Sequence, residues 1–107
     1  PCGSPCYASP EMILGDDYEG KIIDLWAVGI ILFAMVCGYL PFESKSNDVL
    51  FKKICECKLE FPNYVSNDAK EMIHKFLVVD PNKRIRINEV KTQKYYLLGQ
   101  KVFVNHF

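Results

Sequence analysis

The feature that most constrains this sequence is an almost wholly apolar run at residues 22–37, in which only Asp24 and Gly29 are not apolar. A helix that is hydrophobic on every side either lies at the centre of a protein or spans a membrane. The run is shorter than the roughly 20 residues that cross a bilayer, and Asp24 interrupts it. We therefore predict a buried central helix, ended by Gly38, and no membrane partner.

A chain of 107 residues offers few elements with which to surround such a helix on every side. We therefore expect the chain to be one part of a larger core, with one flank of the helix exposed. Thirteen Lys and Arg balance thirteen Asp and Glu. Because no basic excess exists to neutralise phosphates, we predict no nucleic-acid partner.

Three shorter helices are predicted around the central one. Residues 67–79 place apolar side chains at i, i+3, i+4, i+7 and i+8, starting at Ala69, and Ser66 is a suitable N-cap. Weaker patterns predict helices at 48–57 and 87–97. No segment predicts a strand, so the expected fold class is mainly α.

The five cysteines favour reduced thiols, since their number is odd and no signal peptide is recognisable. This predicts a cytoplasmic location, with the nucleus as the alternative. A zinc site would need Cys2, Cys6, Cys55 and Cys57. Because Cys55 and Cys57 would point to different faces of a helix, we predict no metal.

Four motifs follow one another along the chain. They are Cys-Gly-Ser-Pro-Cys-Tyr-Ala-Ser-Pro-Glu at 2–11, Asp-Leu-Trp-Ala-Val-Gly at 24–29, Gly-Tyr-Leu-Pro-Phe at 38–42 and Asp-Pro-Asn-Lys-Arg at 80–84. The first is rich in proline and predicts a loop rather than a regular helix. In this order and spacing the motifs resemble the large lobe of eukaryotic protein kinases, most closely the calcium/calmodulin-dependent and AMP-activated group of serine/threonine kinases.

The resemblance covers residues 1–96, from the end of the activation segment to the last helix, and leaves 97–107 as a tail for which no order is predicted. It implies the C-terminal helical subdomain of a protein-kinase-like fold, built around one buried central helix. The parent protein would transfer the γ-phosphate of ATP, with Mg²⁺, to Ser or Thr of protein substrates.

The catalytic motifs of the resembled family would lie upstream of Pro1. The sequence contains no Gly-rich loop, no His-Arg-Asp and no Asp-Phe-Gly. We therefore predict no catalytic, cofactor-binding or metal-binding residue in this chain, no activity of the chain alone, and a partner in the missing N-terminal part of its own kinase domain. The alternative is a non-catalytic, pseudokinase-like interaction module, because the residues that distinguish an active kinase from a pseudokinase would lie upstream. If the chain were instead an unrelated small helical protein, all four motif matches would have arisen by chance.

The resemblance assigns a substrate-side loop to Ser4, Pro5, Cys6 and Tyr7. The Ser4 hydroxyl would bond the catalytic Asp and a nearby Lys of the family, which implies a Ser or Thr acceptor. Pro5, Cys6 and Tyr7 would shape the pocket for the residue after the acceptor. Ser9 stands where the family usually has Ala.

The resemblance also implies structural anchors. Glu11 and Arg84 would form a buried ion pair, with Arg86 as a competitor for Glu11. Asp24 would accept hydrogen bonds from the catalytic loop, unless it merely faces solvent at a helix end. Trp26 would pack beneath the substrate-side loop, a role compatible with that of an ordinary core aromatic residue.

Overall fold

The computed structural model describes residues 4–15 and 25–86. A 3₁₀ turn at Ser4–Tyr7 is followed by four helices: α1 at Pro10–Ile13, α2 at Leu25–Cys37, α3 at Asn47–Glu56 and α4 at Asn67–Phe76. No strand occurs within these two ranges, and the mainly α fold class is confirmed. The helix predicted at 87–97 and the tail at 97–107 lie outside the described residues.

Helix α2 is the centre of the core. Its side chains at Trp26, Ile30 and Phe33 are almost completely buried. It packs against α4 and against the 3₁₀ turn, and residues from α3 join the same apolar cluster. Burial of this many large apolar side chains is the main source of stability in a domain of this size.

One flank of α2 is nevertheless exposed. Val28, Ile31 and Met35 are apolar and solvent-exposed. Their spacing of three and four residues places them on the same side of the helix. We call these three residues the α2 stripe.

The crossing of α2 and α4 depends on Gly29. A Cβ atom at Gly29 would lie 2.7 Å from the Cβ of Phe76 and 2.8 Å from the Cδ2 of Leu77. Real Cβ atoms essentially never approach other atoms so closely. The two helices therefore meet at a distance that no larger residue allows.

Helix α2 ends at Gly38, as predicted. Gly38 has a φ of +89°, and its N–H donates to the Ala34 carbonyl at 2.9 Å. Left-handed backbone of this kind commonly ends helices, and glycine adopts it without steric cost. The carbonyl of Cys37, the last residue of α2, accepts a hydrogen bond from the Tyr64 hydroxyl.

Helix α4 begins as predicted but ends three residues early. The Ser66 Oγ accepts a hydrogen bond from the Ala69 N–H at 3.2 Å. Leu77, with φ −95° and ψ 64°, leaves the helical conformation, so the predicted end at residue 79 is wrong. The chain turns away here because the carbonyls of Val78 and Val79 bond Arg84.

The proline-rich segment was predicted to be a loop, and this prediction is wrong in part. Residues 10–13 form the single-turn helix α1. Pro10 is the first residue of α1. At this position the missing N–H of proline costs nothing, and its fixed φ suits a helix. The extended conformation of Ser9 (φ −77°, ψ 160°) sets where α1 begins.

The cysteines differ in state. Cys37, Cys55 and Cys57 are free thiols, whereas Cys6 is disulfide-bonded, so the prediction of reduced thiols is wrong for Cys6. Cys57 ends α3 with a φ of +47°, an uncommon conformation for a residue with a side chain. Its thiol contacts the Leu77 carbonyl at 3.4 Å, and burial raises its pKa to about 11.

Candidate functional site

The candidate site is centred on a buried ion pair between Glu11 of α1 and Arg84. The Arg84 Nη1 donates to Glu11 Oε2 at 2.7 Å, and its Nη2 donates to Glu11 Oε1 at 2.9 Å. Each side chain is only 6% exposed. The planar guanidinium thus meets the carboxylate with two parallel bonds, which fixes orientation as well as distance. Arg86, the competitor considered above, is exposed.

The loop that carries Arg84 holds it in place through main-chain carbonyls. The Arg84 Nε donates to the Val78 carbonyl at 2.9 Å, and Nη2 donates to that of Val79 at 3.3 Å. The intervening turn begins at Asp80, whose Oδ1 accepts from the Asn82 N–H at 2.9 Å. An Asp that bonds the backbone two residues later is typical of such turns.

Trp26 forms the floor of the site. The Arg84 Cζ lies 5.0 Å from the centroid of the Trp26 ring, within the range of a cation–π interaction. The ring is also stacked with Phe42, at a centroid distance of 6.1 Å and an angle of 11°. Phe42 follows α2 in the chain. The site therefore joins α1, the loop after α4, α2 and the loop after α2.

The predicted substrate-side loop lies beside this cluster. Cys6 is buried in the same apolar core as Trp26, while Pro5 and Tyr7 are exposed. The structure thus brings the 3₁₀ turn over the N-terminal part of α2. The role predicted for Asp24 lies outside the described residues, as does that of the Ser4 side chain.

An apolar groove of about 740 Å³ opens next to the turn. It is lined by Pro5, Tyr7, Ala8, Met12, Ile13, Ala27 and Phe51. The groove therefore lies between the turn, α1, α2 and α3, and among its described lining residues only Tyr7 carries a polar side-chain group.

Two opposing effects set the pKa of Glu11. Burial raises the pKa, because it removes the carboxylate from water. The hydrogen bonds and positive charge of Arg84, with a hydrogen bond from the backbone of Glu11 itself, outweigh burial and hold the pKa of Glu11 below its ordinary value of 4.5. Glu11 is therefore ionised at neutral pH, as the ion pair requires.

A depressed carboxyl pKa makes the stability of the fold depend on pH. The contribution is complete above the unfolded-state pKa near 4.5 and is lost as pH falls through the lower folded-state pKa. We predict that Glu11→Gln lowers the free energy of unfolding at pH 7 by about 1–3 kcal/mol, because Arg84 loses its counter-charge. The difference from the original chain should shrink as pH falls below 4.5 and through the lower pKa of the folded state, because Glu11 itself becomes protonated.

The effect of Glu11→Gln on the free energy of unfolding is measured by urea denaturation between pH 7 and pH 3, with the single tryptophan, Trp26, as the fluorescent reporter. Glu43, an exposed carboxylate, provides the matched control: Glu43→Gln should leave the curve unchanged. A difference between Glu11→Gln and the original chain that stays constant over the whole pH range would contradict the assignment.

Sequence reasoning missed several contributors to this region. The stacking of Phe42 on Trp26 and the contact of the Cys57 thiol with Leu77 carry no local signal. That position 29 must be glycine becomes clear only from the packing of α4 against α2. The one available hint was that Phe42 belongs to a motif already recognised at 38–42.

Two kinds of feature are absent from the described residues. Within 4–15 and 25–86, no group of three or more His, Cys, Asp or Glu side chains is placed to hold a metal ion. Among the helices in those ranges, none is both long and apolar enough to cross a membrane.

Comparison with known proteins gives consistent matches. Residues 1–96 match the family described as protein kinase domain. The chain is 42% identical over 94 residues to the serine/threonine-protein kinase SIK2 of Gallus gallus, which covers 88% of this chain and 12% of that protein. It is 45% identical over 89 residues to the probable serine/threonine-protein kinase MARK-A of Dictyostelium discoideum, which covers 83% of this chain and 8% of that protein.

A third relative is the carbon catabolite-derepressing protein kinase of Candida tropicalis, 44% identical over 95 residues, with 89% of this chain and 15% of that protein covered. The chain therefore spans between 8% and 15% of the length of these three relatives.

Proposed function

The chain belongs to the protein kinase family, and on that premise we propose that it is the substrate-side part of the large lobe of a serine/threonine kinase. Two of the relatives are named as a serine/threonine-protein kinase and a probable serine/threonine-protein kinase. The intact kinase would transfer the γ-phosphate of ATP to Ser or Thr of a protein. ATP and Mg²⁺ would bind the rest of the kinase domain.

The observation that carries the proposal is the doubly hydrogen-bonded Glu11–Arg84 pair. It ties α1, directly after the substrate-side loop, to the loop behind α4. Phosphoryl transfer by kinases depends mostly on positioning and electrostatic stabilisation. A loop that must hold a peptide near a reacting phosphate therefore needs rigid support, and a buried pair over Trp26 supplies it.

The apolar groove supports a protein as the substrate. Pro5 and Tyr7 of the proposed loop form part of its wall. An extended peptide lying along the loop would place an apolar side chain in the groove, and burial of that side chain would favour binding.

The α2 stripe supports a partner in the rest of the same kinase domain. Val28, Ile31 and Met35 lie on the central helix rather than on a peripheral element. Contiguous exposed apolar surface of this kind marks an interface. We propose that residues upstream of this chain in the parent cover the stripe.

A chimeric kinase tests the proposal. Residues 1–96 would replace the matching segment of Gallus gallus SIK2, joined to the upstream part of that kinase. We predict ATP-dependent phosphorylation of a serine peptide by the chimera and none by the isolated chain. Within the chimera, Arg84→Ala should lower kcat/KM by about tenfold to a hundredfold, because the loop is no longer held in position.

The control is Arg86→Ala, which changes an exposed arginine two positions away and should alter kcat/KM by less than about twofold. Phosphorylation by the isolated chain would overturn the prediction that it is inactive alone. A folded chimera that binds the peptide but transfers no phosphate would instead favour the non-catalytic interaction module.

A further inference from the structure

Tyr64 combines exposure with a structural hydrogen bond. It is 64% exposed, in the irregular linker between α3 and α4. Its hydroxyl nevertheless donates to the carbonyl of Cys37, the last residue of α2. An exposed tyrosine usually bonds water, so this phenol has an unusual position: it is accessible and it also fastens the linker to the central helix.

The residues on either side of Tyr64 are held by contacts of their own. The Val65 N–H donates to the Pro62 carbonyl at 3.2 Å in a tight turn, Val65 is buried, and Ser66 caps α4. Tyr64 sits inside this turn. Its hydroxyl therefore adds a hydrogen bond between the linker and the end of α2, beside the apolar cluster that contains Val65.

The surroundings of the hydroxyl disfavour negative charge. The final carbonyls of a helix carry partial negative charge, and anions near them are destabilising. A phosphate on this oxygen would lie at that helix end and could not donate the hydrogen bond to the Cys37 carbonyl.

We propose that Tyr64 is a phosphorylation site, and that its modification releases the α3–α4 linker from the end of α2. The Tyr64 oxygen forms a bond to the γ-phosphorus of ATP, the bond from that phosphorus to the bridging oxygen breaks, and ADP leaves. The phenolic proton passes to the base of the modifying tyrosine kinase. The product has lost its donor and carries about two negative charges next to helix carbonyls. In this reaction the chain is the substrate, so the inference does not depend on the activity proposed above.

The first test asks whether the site is modified. The full chain is incubated with ATP and a tyrosine kinase catalytic domain of broad specificity, and phosphorylated residues are mapped by mass spectrometry. Tyr39 serves as the internal comparison, because it is 49% exposed and packs its ring edge-on against Phe33. We expect Tyr64 to be modified before Tyr39. Modification of Tyr39 without Tyr64 overturns the proposal.

The second test asks whether modification opens the contact. Amide hydrogen exchange is followed at Val65 and Gly38. Leu50 of α3, whose N–H donates to the Ser46 carbonyl, is the unaffected reference. Tyr64→Phe, which keeps the ring and removes the hydroxyl, should speed exchange at Val65 by about two- to tenfold. Phosphorylated Tyr64 should speed it more, because repulsion adds to the lost bond. Unchanged exchange in the phosphorylated chain overturns the proposed release.

Discussion

Replacing Arg84 with alanine will lower the free energy of unfolding by about 3–5 kcal/mol, because it leaves the Glu11 carboxylate buried without its partner. Glu11 is only 6% exposed and receives two bonds from Arg84. The substitution also exposes the face of Trp26 and frees the carbonyls of Val78 and Val79. Urea denaturation at pH 7, followed by Trp26 fluorescence, measures the loss.

A double substitution separates the charge from the packing. Glu11→Leu with Arg84→Met removes both charges and keeps apolar volume, and should be less destabilising than Arg84→Ala alone, since no buried charge is left unpaired. Arg86→Ala, at an exposed position, should change stability by less than about 0.5 kcal/mol. An Arg84→Ala chain within about 1 kcal/mol of the original would show that the pair is solvated in solution.

Replacing Gly29 with alanine is expected to destabilise the fold by about 1–3 kcal/mol through overpacking. The added methyl would lie 2.7 Å from the Phe76 Cβ, an atom fixed to the backbone of α4. Either α4 moves away from α2 or both helices deform. Alanine is the better helix former by about 1 kcal/mol, so a net loss of stability would show that the crossing outweighs local preference.

A mutant cycle with Leu77 identifies the cause. Leu77→Ala removes two of the three atoms nearest to the added methyl, so Gly29→Ala should cost less in that background. Gly38→Ala is the matched comparison. A Cβ there meets nothing within 4 Å, but the φ of +89° is unfavourable for alanine. Its cost should not depend on Leu77. Strict additivity of Gly29→Ala and Leu77→Ala would contradict the close approach.

The parts of the fold that were predictable from the sequence are those with a strong local pattern. The apolar run at 22–37 predicted a central helix because such a surface needs burial, and because the run is short for a membrane span and contains Asp24. Ser66 and Gly38 predicted helix ends because each residue has a specific backbone role. The position of Arg84 against Glu11 came from a family resemblance, since nothing local relates two residues so far apart.

The parts that were not predictable depend on tertiary contacts. Helix α4 ends at Phe76 although its apolar pattern continues, because Val78 and Val79 direct their carbonyls to Arg84. Helix α1 was missed because proline is read as a helix breaker, although it is tolerated at the first helical position. The number of cysteines alone does not show that Cys6 is disulfide-bonded.

The ion pair joins residues 73 positions apart, and this separation bears on the order of events in folding. Closing so long a loop costs more chain entropy than closing the short connections between neighbouring helices, so we expect contacts of this span to form late. An interaction absent from the transition state affects the rate of unfolding and hardly affects the rate of folding. We therefore expect loss of the Glu11–Arg84 pair to speed unfolding and shorten the lifetime of the folded chain, while the rate of folding stays nearly unchanged.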